Sequence, residues 1–168
     1  MMRVRGAAVL LAGLAFGAGC DDGGPDAEEY IATLSGTEEE PVRNTTATGT
    51  VELEVKSNNT IVYTIDVSNI TNVTAAHIHG PAAARVNAGV IVDLFIPAAR
   101  TGPVNGRLVT DTITTTNNPA VVSLDSLLVL IRNGNAYVNV HTNDGVAPTN
   151  TGPGDFPGGE IRGQILRR

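Results

Sequence analysis

The chain has 168 residues, 42% of them hydrophobic, with 17 acidic against 11 basic side chains and a formal charge of −6. A single domain near this length buries roughly 70% of its unfolded surface, so neither disulfides nor oligomerisation is needed, and the one cysteine cannot form an internal disulfide. The acidic balance, with Lys56 as the one lysine, excludes a nucleic-acid partner, and a monomer is expected.

In chain order, Arg3 and Arg5 form a basic start and Gly6 to Ala18 is an uncharged, mostly apolar run, which together read as an export signal over 1–19. The run is shorter than the ~20 residues of a membrane-spanning helix. The stretch Phe16-Gly17-Ala18-Gly19-Cys20 resembles the lipobox of bacterial lipoproteins, although Gly17 stands where that family usually carries Leu. The resemblance implies that Cys20 is lipidated and anchors the chain to a membrane; Gly17 and Gly19 also fit an ordinary small-x-small cleavage site, and without lipidation the chain is a free secreted protein. Asp21 to Glu29 then carries five acids in nine residues without hydrophobic periodicity, and 20–29 reads as an acidic tether.

From Tyr30 onward, 19 Thr, 19 Val, 19 Gly and 14 Asn in the whole chain favour strands and turns over helices. Strands are predicted at Ile31 to Ser35, Thr50 to Val55, Ile61 to Val67, Val73 to His79, Val90 to Phe95, Arg107 to Ile113, Ala136 to Thr142 and Glu160 to Leu166. Val51, Leu53 and Val55 share one face and Ile61, Tyr63, Ile65 and Val67 repeat the pattern, so a hairpin turning at Ser57-Asn58-Asn59 is expected. Leu124, Leu127, Leu128 and Ile131 fall at helical spacing between a capping Ser123 and Gly134, which predicts one short helix. The class is therefore all-β, a Greek-key β-sandwich of immunoglobulin-like or superoxide-dismutase-like type over 30–168.

All three histidines lie in two of these strands, as Ala76-His77-Ile78-His79-Gly80 and Tyr137-Val138-Asn139-Val140-His141-Thr142. Alternation puts His77 and His79 on one face about 6.6 Å apart, and His141 opposite the apolar Val138 and Val140. If the two strands are neighbours, a three-histidine site results, suited to copper first and zinc second. The competing reading is that the imidazoles only order neighbouring loops. No Gly-x-Ser-x-Gly elbow supports nucleophilic catalysis, and the acids of Asn143 to Gly159 lack EF-hand spacing.

The pieces Tyr30 to Gly36, Ala47 to Thr50, Ala75 to Pro81, Tyr137 to Thr142 and Pro157 to Ile165 together resemble the CHRD domain, a module first described in chordin and common in bacterial extracytoplasmic proteins. Thr142 to Phe156 is longer than the usual link between the last two pieces. A second resemblance, through the His-x-His strand, the late Val-His strand and the Gly-rich loop, is to copper-zinc superoxide dismutases. It implies His77, His79 and His141 as copper ligands and Arg162 as an anion-guiding arginine, without that family's bridging histidine or disulfide. Three readings stand: a lipid-anchored copper-binding protein of the bacterial cell envelope, a structural or adhesive envelope module, and a copper-only dismutase-like enzyme.

Overall fold

The fold is described by a computed structural model for residues 27–116 and 122–168. The export signal, Cys20 and the tether up to residue 26 lie outside the described residues. Strands run over Glu28–Ser35 (β1), Thr48–Val55 (β2), Ile61–Ile70 (β3), Val73–His79 (β4), Val90–Phe95 (β5), Val104–Ile113 (β6), Tyr137–Thr142 (β7), Ile161–Gln164 (β8) and Leu166–Arg167 (β9), with one α-helix, Leu124–Arg132 (α1), before β7.

The alternation predicted for the first hairpin is the one observed. Val51, Leu53 and Val55 pair with Ile65, Tyr63 and Ile61, and all six side chains are buried. Between the strands, Asn59 donates its N–H to the Lys56 carbonyl at 2.8 Å and takes a φ of +64°, a left-handed conformation that Asn tolerates because its short polar side chain bonds locally. Ser123 caps α1 by accepting the Ser126 N–H, and the helix sinks Leu127, Leu128 and Ile131 into the core before Gly134, at φ +65°, ends it.

The strands form one antiparallel sheet in the order β5-β4-β7-β8-β1-β2-β3-β6, with β9 beside β1. The sheet curls until β5 approaches β6 and nearly closes, the Tyr63 hydroxyl of β3 donating to the Leu94 carbonyl of β5. Around that closure β4, β5 and β6 follow one another and β3 lies beside β6, a Greek-key connection. Ala32, Leu34, Val51, Ile65, Ile78, Val138, Val140 and Ile161 fill the interior.

Several boundaries differ from the alternation, β2 starting at Thr48 and β3 ending at Ile70 among them, and three bear on the architecture. β1 starts at Glu28, inside the stretch read as tether, because Arg132 grips that carboxylate at 2.6 and 3.0 Å and the Tyr30 hydroxyl donates to it at 2.6 Å. β6 starts at Val104 rather than Arg107: the polar Asn105 and Gly106 carry no apolar signal, yet Val104 pairs with Ile70 beyond a register shift. The last strand is broken at Ile165, whose N–H turns to the Ala136 carbonyl, so that β8 pairs with β7 and, at Ser35, with one end of β1, while β9 pairs with Tyr30 and Ile31 of β1.

β7 differs from β2 in having both faces covered. Val138 and Val140 enter the core, while Tyr137 and Asn139 are equally buried on the opposite face, under the loops at 36–43, 81–89 and 143–159. Those loops roof the place where the histidines lie.

Candidate metal centre

β4 and β7 are direct neighbours, with Ala75 opposite His141, His77 opposite Asn139 and His79 opposite Tyr137. Cross-strand partners share a face, so His77, His79, Tyr137, Asn139 and His141 all project to the roofed side. Their ring centroids lie 4.7 Å (His77–His141), 5.6 Å (His77–His79) and 5.9 Å (His79–His141) apart. One nitrogen from each of the three histidines falls within 4.8 Å of the others. Bonds of ~2.0–2.1 Å put two nitrogens on one ion at most about 4.2 Å apart, so a fraction of an ångström of side-chain movement closes the cluster on a single ion. The trio that alternation placed on one face is thus brought together.

The remaining nitrogens fix the protons. His79 Nδ1 lies 2.9 Å from the Ala88 carbonyl and His141 Nδ1 lies 2.9 Å from the Pro157 carbonyl. A carbonyl only accepts, so both Nδ1 atoms carry hydrogen and both Nε2 atoms keep a bare lone pair. His79 Nε2 is buried and has no hydrogen-bond partner. His77 Nε2 faces Asp93 Oδ1 at 3.3 Å, leaving Nδ1 to point at His141 Nε2 from 3.0 Å. In one His77 tautomer Nδ1–H donates to His141 Nε2 across that 3.0 Å gap; in the other, which turns Nε2–H to the carboxylate, two lone pairs meet there and a cation can take the place of the proton. Metal-bound imidazoles hold their second nitrogen on a carbonyl or carboxylate in this way.

A proton is a poor occupant of this cluster at neutral pH. Burial pushes the His141 imidazole down to about 4, against a smaller opposing pull from the Pro157 carbonyl. Burial also lowers His77, despite Asp93, and His79, despite Ala88.

Behind the histidines is a stack. The Tyr137 ring lies parallel to His79 at 4.9 Å, and the Arg162 guanidinium covers its other face at 3.5 Å. All three grip one loop: Arg162 donates to the Val86 carbonyl (2.8 Å) and Asn87 Oδ1 (3.0 Å), the Tyr137 hydroxyl accepts the Ala88 N–H (3.1 Å), and His79 takes the Ala88 carbonyl. Arg162 is only 1% exposed. The anion-guiding role implied by the dismutase resemblance does not suit this position, because its guanidinium is under the roof and bonded to the loop.

Sequence reasoning did not single out Asp93 or Glu39. Asp93 had a signal, a lone acid within the apolar run from Val90 to Phe95, and β4–β5 pairing sets it opposite His77. Glu39 had none: it sits in an acidic run, yet its side chain is 3% exposed and reaches Asn139 Nδ2 at 3.5 Å. Burial raises it to about 7 in spite of Arg162 and Arg43 nearby. The long segment 143–159 supplies the Pro157 carbonyl and is pinned by buried Glu160, whose carboxylate accepts from Thr142, Thr45 and the Gly154 N–H.

The family model of the CHRD domain matches residues 30–165. No curated protein and no solved structure matches the chain.

Proposed function

The chain belongs to the CHRD-domain family, and on that footing we propose that it is an extracytoplasmic, lipid-anchored protein that binds a transition-metal ion, copper in first place and zinc in second, through His77, His79 and His141. The observation that carries the reading is the convergence of three imidazoles, one nitrogen of each within 4.8 Å of the others, with Nδ1 of His79 and of His141 on backbone carbonyls so that their Nε2 lone pairs are left for a ligand. Imidazole nitrogens suit copper and zinc, and copper(II) leads the affinity order for such ligands. Anchoring rests on the basic-apolar segment at 1–19 and on Cys20 at its end, and it locates the domain at a bacterial cell envelope. The role is binding rather than turnover, since the arginine that a dismutase-like mechanism would use is enclosed.

The test is metal analysis and copper EPR of the purified protein, with His141→Ala alongside. One copper per wild-type chain, lost in the variant, is the expected result. Wild type that stays empty in excess copper and zinc overturns the reading.

One observation favours the second reading, a structural envelope module: His79 and His141 hold the roofing loops through Ala88 and Pro157. On that reading the three His→Ala changes alter stability alone and leave metal content unchanged. Superoxide turnover by the copper-loaded protein would instead support the enzyme.

A further inference from the structure

We infer that the centre selects monovalent copper over divalent copper and zinc, and that Arg162 sets this preference from behind Tyr137. The inference rests on the metal-binding reading above and adds the oxidation state of the ion.

The first argument is the charge of the donor set. The three convergent atoms are neutral imidazole nitrogens, with no thiolate or carboxylate among them. A divalent ion bound there keeps its full +2 charge in the protein, a monovalent ion only +1. The cost of moving an ion from water into a low-dielectric interior rises with the square of its charge, so the divalent ion loses about four times as much solvation. The site imposes that cost, since His79 is 7% exposed and the His77 side chain 15%.

The second argument is the fixed charge nearby. Arg162 carries a permanent positive charge, and the 3.5 Å and 4.9 Å separations of the stack place it within about 8 Å of the His79 ring. It repels a divalent ion twice as strongly as a monovalent one. The opposing charge at the trio is Asp93, whose side chain is 43% exposed and therefore screened by water. Glu39 is buried, but a carboxyl raised to about 7 carries only part of a charge at neutral pH. Glu160 is held on the Thr45 and Thr142 hydroxyls and the Gly154 N–H and touches none of the three histidines through a hydrogen bond.

The stack gives this charge a route to the ligand. Tyr137 keeps water out of the space between Arg162 and His79, so the repulsion acts through ring atoms rather than solvent. Arg162 is thus a specificity-determining residue that touches no metal.

The experiment is an anaerobic competition of the purified protein against a chromophoric copper(I) chelator, with parallel competitions for copper(II) and zinc(II). Copper(I) is expected to be held at least 100-fold more tightly than either divalent ion. Arg162→Gln lowers the copper(I) to copper(II) ratio roughly tenfold, while Arg162→Lys, which keeps the charge, leaves it near the wild-type value. Histidine-dependent binding in which a divalent ion is held as tightly as copper(I) overturns the inference and leaves the metal-binding reading standing; failure to bind all three ions overturns both. An unchanged ratio in a folded Arg162→Gln overturns the role of the arginine. Should that variant not fold, the wild-type ratio alone decides the selectivity.

Discussion

β2 and β7 belong to the same sheet and are built from similar β-branched residues, but they treat their polar faces in opposite ways. In β2, Glu52 and Glu54 stand towards water while Val51, Leu53 and Val55 are buried. In β7, Tyr137 and Asn139 are as buried as Val138 and Val140, and three loops fold over them. A polar face needs no cover for stability, since water satisfies it at no cost. Roofing it means removing hydrogen-bonding groups from solvent, which costs on the order of 1–3 kcal/mol for each group left without a partner. His79 Nε2, Asn139 Oδ1 and Glu39 Oε1 are such groups. The contrast separates the half of the molecule that maintains the fold from the half where chemistry is concentrated.

The comparison breaks most easily in the core of the first half. Leu53→Ala is expected to cost about 2–5 kcal/mol in unfolding free energy, by loss of transfer energy and creation of a cavity. If the two halves are separable, the folded fraction still takes up its full complement of copper, which denaturant titration and metal analysis together would establish.

Acid comes next. A histidine at about 4 in the folded chain and 6.5 unfolded stays neutral while the unfolded chain takes up a proton, so metal-free stability falls as the pH drops from 6.5 to 4, by roughly 3 kcal/mol for His141. Glu39 has the opposite sign. With its folded value raised to about 7, it stays protonated where the unfolded carboxyl has ionised, and its contribution is lost as the pH rises from 4.5 through 7. Glu39→Gln should therefore steepen the rise of stability between pH 4 and 6.5, and His141→Ala should flatten it. Thermal melts across that range decide the matter, and a His141→Ala profile parallel to wild type would remove the burial argument.

Two smaller effects sharpen the contrast. Ser123→Ala removes the cap of α1 and is expected to cost about 1 kcal/mol, seen as a lower denaturation midpoint with an unchanged slope. Glu52→Ala breaks an exposed pair with Arg168 at 3.0 Å and should change stability by less than about 1 kcal/mol. A larger loss at Glu52 would mean that the open face of β2 is not simply solvated.

The same contrast explains what could be read from the sequence. The hairpin of β2 and β3 was legible because one buried face and one wet face produce strict alternation. The helix was legible from Ser123, Gly134 and the spacing of Leu124, Leu127, Leu128 and Ile131. The clustering of the histidines was legible because three of one rare residue fell on the non-apolar face of two strands. Glu28 was read as tether because nothing local announces its partner Arg132, more than 100 residues away. Burial of Arg162 and Glu39 depends on where the loops at 81–89 and 143–159 fold, and loop closure leaves no periodicity. Pro157 contributes only a carbonyl, which no side-chain pattern encodes.

The register of β1 bears on how the protein is displayed. Ser35, at its far end, pairs with Arg162, which pairs with Asn139, which pairs with His77. The histidines therefore lie level with the end of β1, while the preceding segment joins at Glu28, seven residues earlier along a path of about 23 Å. Were the chain held at a membrane through Cys20, as proposed, the tether would enter at the end of β1 remote from the histidines.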